Sequence, residues 1–456
     1  MVERPEYQSR PEIKSYSSFP AFRTLGEKPK GPLEKFLSIF ADVRAGEGFS
    51  VLVLAINVFL LLFAYYLLKT VREALILSEG GATVKSYSAA AQALVLIAMV
   101  PVYGWLGSKV VRIRLLTGLT LFFVMNLAVF AIIGATGAQL GVAFYIWVGV
   151  FNVFAISQFW AFANDLYTEA QGKRLFPFIG VGSSLGAWLG ARAAAELVKA
   201  YQLTPFALMW IGAGLLLVCV GLTWLVNRRE SRAGTSEMAQ HADKALGAQD
   251  GFKLIFSSRY LTLIAVLIVL LNIVNSCGEF LLGNVVTEQA AALPDRAAKQ
   301  RFIGEFYGNF FSWVNAASAL MQMFVVSRLF QAIGVRGSLF VLPSIAMVSY
   351  SVLAVAPLLA VVRVAKIFEN STDYSVQNTV RQALFLPTSR EAKYKAKAAI
   401  DTFFMRFGDV LQAGVVKVGT EIGAGLAGFA WFNVALTLGW LWIAARLSRE
   451  HRRLSF

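Results

Sequence analysis

Hydrophobic runs of membrane-spanning length follow one another along most of the chain, and short polar stretches separate them. A helix needs about 20 apolar residues to cross the hydrocarbon core of a bilayer, so each run predicts a membrane helix. We predict about twelve such helices, over residues 50–77, 86–107, 113–134, 139–163, 175–199, 206–226, 260–286, 304–330, 337–356, 358–386, 398–424 and 426–446. Several runs exceed the minimum length, which implies that these helices are tilted or extend beyond the lipid.

The composition is typical of a membrane protein rather than a soluble one. Hydrophobic residues make up 57% of the 456 residues, charged residues make up 15%, and the mean hydropathy is +0.61. A soluble protein carries about 25% charged residues. The excess of apolar surface is therefore expected to face lipid rather than one large core.

The net charge of +15 comes mainly from basic residues in alternate loops. These residues follow every second predicted helix, in the segments 109–114, 173–174, 228–259, 328–336, 390–397 and 446–453. Basic loops tend to stay on the cytoplasmic side, so we expect both termini to be cytoplasmic in a bacterial cytoplasmic membrane. The positive charge then faces the lipid bilayer, and the pattern does not favour nucleic-acid binding.

A polar segment near the middle of the chain divides the predicted helices into two sets of six. Residues 227–259 form the expected cytoplasmic linker between an N-terminal half, 50–226, and a C-terminal half, 260–446. The segments 1–49 and 447–456 are expected to be a cytoplasmic N-terminal segment and a cytoplasmic tail. The expected fold class is an all-α polytopic membrane protein, major-facilitator-like, in which substrate binds between the halves.

The predicted tenth helix carries polar residues at steps of three and four, which fall along one stripe of a helix. The stripe consists of Arg363, Lys366, Glu369, Asn370, Asp373, Gln377 and Arg381. A charge near the bilayer centre costs on the order of 3 kcal/mol, so such a stripe must face protein or water. A helix of this kind typically lines a polar pathway, which makes transport the leading functional hypothesis.

The predicted first and seventh helices carry charges that suit the same pathway. Lys69, Arg72 and Glu73 share one face of a helix, where the cations can hold phosphate or carboxylate oxygens. The alternative is that the long side chains snorkel to the outer interface. Glu279 is the lone charge of the seventh helix and is open to ion pairing with Lys69 or Arg381, a proton relay or substrate contact.

The predicted eleventh helix adds further charges, at Asp401, Arg406, Asp409, Lys417 and Glu421. Because an unpaired charge in a membrane is costly, some of them are expected to pair with the stripe of the tenth helix. The sequence leaves open which members pair and which contact substrate.

Three glycines repeat every four residues in the predicted fifth helix, at Gly182, Gly186 and Gly190. Small residues at this spacing let a neighbouring helix approach closely. We therefore predict that this face packs against another helix.

The chain contains no Gly-x-x-x-x-Gly-Lys-Ser/Thr segment and no His-Glu zinc motif. Its Gly-x-Ser-x-Gly match at 182–186 lies within the glycine repeat of the predicted fifth helix and not at the strand-to-helix turn that a nucleophile elbow needs. We therefore expect neither an enzyme nor an ATP-driven pump, and no cofactor or metal. Cys219 and Cys277 lie in apolar segments and are expected to be small core residues. Coupling would then come from exchange or from an ion gradient.

Several motifs resemble the ATP/ADP translocase family of plastids and intracellular bacteria, which is related to the major facilitators. Residues 68–73, Leu-Lys-Thr-Val-Arg-Glu, resemble the family's Leu-Lys-Asp-Thr-Lys-Asp. Residues 159–164, Phe-Trp-Ala-Phe-Ala-Asn, and 173–180, Lys-Arg-Leu-Phe-Pro-Phe-Ile-Gly, are similar to two further family segments. The most specific likeness is Lys-Ala-Lys-Ala-Ala-Ile-Asp at 395–401. The resemblance implies that Lys69, Arg72, Glu279 and Arg381 contact nucleotide phosphates or gate around them.

Other positions depart from the family pattern. Thr70 replaces an acidic residue, Arg72 and Arg381 replace lysines, and Gln382 replaces a glutamate. Asp409 stands near a family lysine, and its negative charge would weaken a polyphosphate site. These departures favour a family branch with a less highly charged substrate.

The favoured hypothesis is an alternating-access nucleotide antiporter of the ATP/ADP type that functions as a monomer. An anionic small molecule would be bound by Lys69, Arg72, Arg363, Lys366 and Arg381, and gated or coupled by Glu73, Glu279, Asp373, Asp401 and Asp409. The alternative is a proton-coupled major facilitator for another organic anion or metabolite, with the proton on Glu279, Asp373 or Asp401. A membrane scaffold or sensor is a third possibility, against which the polar stripe argues.

Overall fold

The computed structural model of the protein describes residues 30–39, 41–232, 248–389 and 391–454. These ranges contain α-helices and short π-helical segments and no strand. The α-helices are α1 Pro32–Leu37, α2 Gly48–Lys109, α3 Arg112–Ala135, α4 Gly141–Leu166, α5 Glu169–Ala200, α6 Pro205–Arg232, α7 Ala248–Ser257, α8 Arg259–Ala291, α9 Arg296–Leu320, α10 Val326–Ser338, α11 Val341–Val355, α12 Leu359–Thr372, α13 Asn378–Leu384, α14 Lys397–Ala399, α15 Met405–Glu421 and α16 Leu426–Leu454. The π-helical segments are Met321–Val325, Asp373–Gln377, Ala392–Ala396 and Ile400–Phe404.

Seven of the described helical runs are long and apolar enough to cross a membrane. They are Gly48–Met99, Ile113–Ala135, Gly141–Leu166, Pro205–Arg229, Arg259–Ala291, Arg296–Ser338 and Leu426–Leu454. The expected all-helical, multi-pass membrane protein is therefore confirmed. The number of twelve crossings and the predicted domain boundaries stay predictions, and parts of the predicted N-terminal segment and linker, at 1–29 and 233–247, lie outside the described residues.

Helix α2 holds the predicted first and second membrane helices in one run that reverses direction near Gly81. Gly81 has φ 69° and ψ −171°, a conformation in the left-handed region that glycine adopts without a Cβ clash. Glu73 and Lys85 would lie about 18 Å apart along a straight helix, yet their side chains are 2.7 Å apart. The two arms of α2, before and after Gly81, therefore lie side by side.

The helices form an N-terminal group, α2 to α6, and a C-terminal group, α8 to α16. Within the N-terminal group, α4, α5 and α6 pack on α2, and within the C-terminal group α16 packs on α8 and α11. The two groups meet where α5 packs on α9 and where α2 packs on α8, α9 and α15. The first arm and the second arm of α2 are thus the central elements of the contact between the groups.

The glycines of α5 lie against the backbone of α2, which confirms the predicted close approach. A Cβ atom added at Gly182, Gly186 or Gly190 would lie 2.4, 2.2 or 2.5 Å from a carbonyl oxygen, namely that of Ala55, Phe59 or Phe63, respectively. A side chain at these positions has no room, because the obstacle is main chain rather than a movable side chain. These three glycines therefore set the distance between α5 and α2.

One end of the molecule carries polar contacts between the two helix groups. Lys199 Nζ lies 3.0 Å from Glu305 Oε1, and Arg192 Nη1 donates to Asn309 Oδ1 at 3.0 Å. Arg296 bonds Glu79 and also donates to the Gly137 carbonyl oxygen at 2.9 Å. This end contains the α3–α4, α5–α6 and α8–α9 loops, and the alternation of basic loops predicts that it lies outside the membrane. We refer to it as the outer end.

The N-terminal segment before α2 is fastened at the opposite end through Glu47. Arg174 Nη2 lies 3.0 Å from Glu47 Oε1, Gln171 Nε2 donates to the same oxygen at 3.2 Å, and the Arg44 N–H donates to Oε2 at 2.9 Å. Partial burial by itself would raise the pKa of Glu47, but the bonds and charge of Arg174, with the other two donors, hold it below its ordinary value of 4.5.

The substitution Gly186→Val should destabilise the protein, whereas Gly180→Val in the same helix should not. The new side chain at Gly186 would meet the Phe59 carbonyl oxygen, and overpacking of this kind costs about 1–3 kcal/mol. A Cβ at Gly180 has no neighbour within 4 Å. Thermal unfolding of the two purified variants in one detergent provides the measurement, and equal midpoints would contradict the proposed backbone contact.

The contribution of Glu47 to stability should disappear at acidic pH. Because its pKa is lower in the folded protein than in the unfolded one, the stabilisation is present above the ordinary glutamate range and is lost as the pH falls through the folded pKa. At neutral pH, Glu47→Gln should therefore unfold at a lower temperature than the wild type, and the difference should shrink on acidification. Glu391→Gln, at an exposed glutamate, serves as the control and should unfold at the same temperature as the wild type at neutral pH.

Candidate functional site

A cavity of about 200 Å³ lies between the two helix groups. Its walls come from both arms of α2 and from α4 in the N-terminal group, and from α8, α9, α12, the π-helical segment Asp373–Gln377 and α15 in the C-terminal group. Seven of its lining side chains are charged: Lys69, Arg72, Glu73, Lys85, Glu279, Arg406 and Asp409. Among the described residues, the structure shows no His, Cys, Asp and Glu cluster that could hold a metal ion.

The N-terminal wall is a cationic surface in which one carboxylate serves two cations. Lys69, Arg72 and Glu73 share a face of the first arm because they are three and four residues apart. Arg72 Nη2 lies 2.5 Å from Glu73 Oε1, and Lys85 Nζ lies 2.7 Å from Glu73 Oε2. The chain reversal at Gly81 brings Lys85 to this face from the second arm. Each oxygen of Glu73 therefore lies within ion-pair distance of one cation.

Lys69 is the cation of this wall that is left without a carboxylate. Its Nζ lies 4.2 Å from the centroid of the Phe311 ring and 5.1 Å from that of Tyr66. Within the described part of the chain, no carboxylate oxygen comes within 4.0 Å of it, and only 9% of the residue is exposed. Aromatic rings compensate a desolvated ammonium only in part, so an anion bound beside Lys69 would be strongly stabilised. Burial of this degree does not fit the alternative of snorkelling to the interface.

Glu279 is the carboxylate of the C-terminal wall that faces the N-terminal one. Asn370 Nδ2 donates to Glu279 Oε1 at 2.9 Å, and Lys366 Nζ lies 3.6 Å from the same oxygen. Its other oxygen, Oε2, lies 3.8 Å from Nζ of Lys85 on α2. Glu279 is therefore shared between a cation of its own helix group and one of the opposite group.

Lys366 lies behind the cavity wall rather than on its surface. The residue is 0% exposed, donates to Asn275 Oδ1 at 2.7 Å and lies 3.2 Å from Glu369 Oε2. Glu369 also accepts from the Tyr350 hydroxyl at 2.7 Å. The lysine thus joins Glu279 to a buried polar cluster, and its predicted contact with substrate stays a prediction.

Asp409 and Arg406 are the charged residues that α15 contributes to the C-terminal wall of the cavity. Arg406 Nη1 lies 3.6 Å from Asp409 Oδ2, and the Ser276 hydroxyl donates to Asp409 Oδ1 at 3.2 Å. The negative charge that departs from the family pattern is therefore held within a local pair. The predicted gating role of Asp409 stays a prediction, but the structure places the residue in the cavity.

Four further candidates lie outside the cavity lining. Arg363 stacks over the Phe306 ring at 5.6 Å, Asp401 pairs with Lys397 at 3.6 Å, and Arg381 donates to Asn378 at 3.4 Å. Asp373 begins the π-helical segment after α12. The helical stripe of the tenth predicted helix thus divides, and only Asn370 among its residues reaches the cavity.

The charged lining residue Lys85 was missing from the sequence-based candidates, whereas Arg406 was named among the charges of the predicted eleventh helix but was given no binding or gating role. Lys85 falls in the stretch between the first two predicted helices, at 78–85. The adjacent Gly80 and Gly81 are the available signal, since a chain reversal there folds the second arm back along the first and brings Lys85 to the face that carries Glu73. For Arg406, the signal is its spacing of three from Asp409, which puts both on one helix face.

Comparison with known proteins identifies the family. The model of the TLC ATP/ADP transporter family matches residues 142–353 and 339–451. ADP,ATP carrier protein 1 of Chlamydia pneumoniae is 23% identical in an alignment of 349 residues that covers 67% of this chain and 66% of the carrier. The chloroplastic ADP,ATP carrier protein 1 of Arabidopsis thaliana is 24% identical over 57% of this chain and 45% of its own length. The chain thus spans just under two thirds of the Chlamydia carrier's length and less of the plant carrier's.

Solved structures with the same fold are membrane transporters. The nucleoside transporter NupG superposes with a TM-score of 0.64 at 14% identity, over 86% of this chain and 98% of that protein. A bacterial homologue of the iron transporter ferroportin, in an inward-facing state, gives a TM-score of 0.61 at 14% identity, over 88% of this chain and 98% of that protein. These likenesses confirm the major-facilitator-like fold. Since the family model also matches more than half of the chain, the protein belongs to the TLC ATP/ADP transporter family.

Proposed function

We propose that this protein is an alternating-access antiporter that exchanges nucleotides of the ATP/ADP type across a bacterial cytoplasmic membrane. Its family membership supports transport of nucleotides, and its cavity between two helix groups supports binding from alternate sides. The observation that carries the proposal is Lys69, a buried ammonium in the cavity with aromatic contacts and no carboxylate partner among the described residues. The phosphate group of a substrate would supply that partner.

The chemistry of the lining fits both ends of a nucleotide. Lys69 offers a compact charge to phosphate oxygens, and Arg72 stands beside it with its Nε and Nη2 on Glu73. The exposed face of Tyr374, which also lines the cavity, offers a stacking surface for a nucleobase. In this arrangement the phosphates lie on the N-terminal wall and the base lies towards the C-terminal one.

The distribution of polar contacts supports alternating access. The described ion pairs between the two helix groups lie either at the outer end, as for Glu79–Arg296 and Lys199–Glu305, or in the cavity, as for Lys85–Glu279. The groups are therefore held together on one side of the cavity. A rocking motion that breaks these contacts and closes the opposite side would expose the site to the other compartment.

A second candidate function is proton-coupled transport of a less highly charged organic anion. The observation in its favour is the near balance of charge around the cavity, where four cations face three carboxylates. A polyphosphate brings more negative charge than this lining compensates. Glu279, which lines the cavity and is about a quarter exposed, is the carboxylate placed to accept a proton.

The test is uptake of labelled ATP into proteoliposomes preloaded with ADP. Lys69→Met should reduce uptake about tenfold or more, because a hydrogen bond to a charged group contributes about 1.5–3 kcal/mol. Lys253→Met, at an exposed lysine of α7, is the matched control and should transport like the wild type. Arg381→Ala should have a smaller effect than Lys69→Met, since Arg381 lies outside the lining.

The requirement for internal substrate separates the candidates. Uptake that depends on internal ADP supports exchange, whereas uptake of another anion that needs only an imposed proton gradient supports the second candidate. Absence of ATP uptake by folded wild-type protein would overturn adenine nucleotide exchange.

A further inference from the structure

We propose that Lys85 is the outer gate of the cavity, and that a substrate anion opens this gate by replacing Glu279 as a partner of Lys85. The inference rests on the proposed function for the identity of the anion. It extends that function by naming the residue that makes opening depend on bound substrate. Lys85 belongs to none of the motifs by which the chain resembles its family.

The position of Lys85 is that of a cation between two helix groups. It lies four residues after Gly81 in the second arm of α2, with Nζ 2.7 Å from Glu73 Oε2 and 3.8 Å from Glu279 Oε2. The ring of Tyr307 on α9 lies 5.2 Å away. One buried ammonium thus bridges a carboxylate of its own group and a carboxylate of the opposite one.

Beyond this layer, towards the outer end, the interface is apolar and tight. A Cβ added to Gly283 on α8 would lie 3.1 Å from Ala82 Cβ and 3.4 Å from Leu77 Cδ2, at the reversal of α2. One residue further into the cavity, Ser86 Oγ accepts a hydrogen bond from Gln412 Nε2 at 3.2 Å. The link between Lys85 and Glu279 is therefore the charged layer next to the outer seal.

The two contacts of Lys85 differ in a way that suits exchange of one partner. The short contact to Glu73 lies within one helix group and is unaffected when the groups separate. The longer contact to Glu279 crosses between the groups. When it breaks, Glu279 keeps Lys366 at 3.6 Å and the hydrogen bond from Asn370. An unpaired carboxylate would be costly in a low-dielectric site. Release of Lys85 avoids this cost, because Glu279 keeps its partners on the C-terminal wall.

The N-terminal wall, by contrast, depends on Glu279 when no substrate is present. It carries Lys69, Arg72 and Lys85 with Glu73 as its carboxylate. Loss of Glu279 without a replacement leaves three cations around one carboxylate, whereas a substrate anion between Lys69 and Lys85 replaces the lost charge. Opening is therefore favourable with substrate and unfavourable without it, which is the condition for obligatory exchange.

Accessibility of the outer seal tests the gate without any assumption about substrate. A cysteine at Thr287, whose Cγ2 lies 3.8 Å from a Cβ built on Gly81, reports opening through its reaction with a membrane-impermeant maleimide. The two native cysteines are buried. In substrate-free protein, Lys85→Met should raise the labelling rate about tenfold, and Lys85→Arg, which keeps the charge, should leave the rate low.

A second variant separates the gate from a folding defect. Glu279→Gln removes the same link but leaves the Lys85–Glu73 pair and the amide contact to Asn370 possible. It should raise labelling as Lys85→Met does, and the double variant should label no faster than either single one, because only one interaction is lost. Unchanged labelling in both single variants, or additive effects in the double variant, would overturn the proposal.

Transport provides the second readout. Wild-type proteoliposomes loaded with labelled ADP should release it only when external nucleotide is supplied, whereas Lys85→Met should release it without external nucleotide. Strict exchange that persists in folded Lys85→Met would overturn the gate. If labelling responds to Lys85→Met but nucleotides change neither labelling nor transport in the wild type, the gate stands and the proposed nucleotide substrate is wrong.

Discussion

Charges between lipid-embedded helices have to be compensated by the protein itself, because the hydrocarbon core provides no water to solvate them. In and around the cavity, most of the charged side chains have a partner of opposite charge. Glu73 compensates Arg72 and Lys85, Asp409 compensates Arg406, and Lys366 lies between Glu279 and the buried Glu369. Lys69 departs from the rule, with rings in place of a carboxylate. A ligand of opposite charge is the group that would complete the pattern.

This compensation depends on backbone geometry that places distant segments together. The reversal at Gly81 lets the second arm of α2 lie beside the first, so that Lys85 reaches Glu73. The glycine stripe of α5 lets a neighbouring backbone lie directly against the first arm. Close packing of this kind makes an interface shift between discrete arrangements rather than deform gradually. The helices around the cavity are therefore suited to rigid-body movement with the charged groups carried along.

The two walls of the cavity differ in charge, and this difference gives the proposed exchange cycle a physical cause. A ligand can shift a conformational equilibrium only by as much as its affinity differs between the two states. Cations predominate on the N-terminal wall and carboxylates on the C-terminal wall, with the Lys85–Glu279 contact between them. An anion competes for the cationic wall and so acts on the contact that holds the groups together. The energy for opening would then come from substrate binding rather than from a separate cofactor.

Features that depend on local periodicity could be predicted from the order of the amino acids. Apolar length predicted the membrane helices, glycine spacing predicted the backbone contact of α5, and helical spacing placed Lys69 and Glu73 on one polar face. Family motifs pointed to Glu279, which lines the cavity, and to Arg381, which does not. These features could be read because each depends on residues within a few turns of one helix.

Which polar faces meet depends on how the helices pack in three dimensions. It placed Lys85 and Arg406 in the cavity, Lys366 behind its wall, and Arg363 and Arg381 outside the lining. Helical periodicity shows which side chains share a face, but not which helix that face turns towards. The decisive contacts join residues far apart in the chain, such as Lys85 and Glu279. Their distances follow from chain reversal and helix packing, which no local pattern of residues specifies.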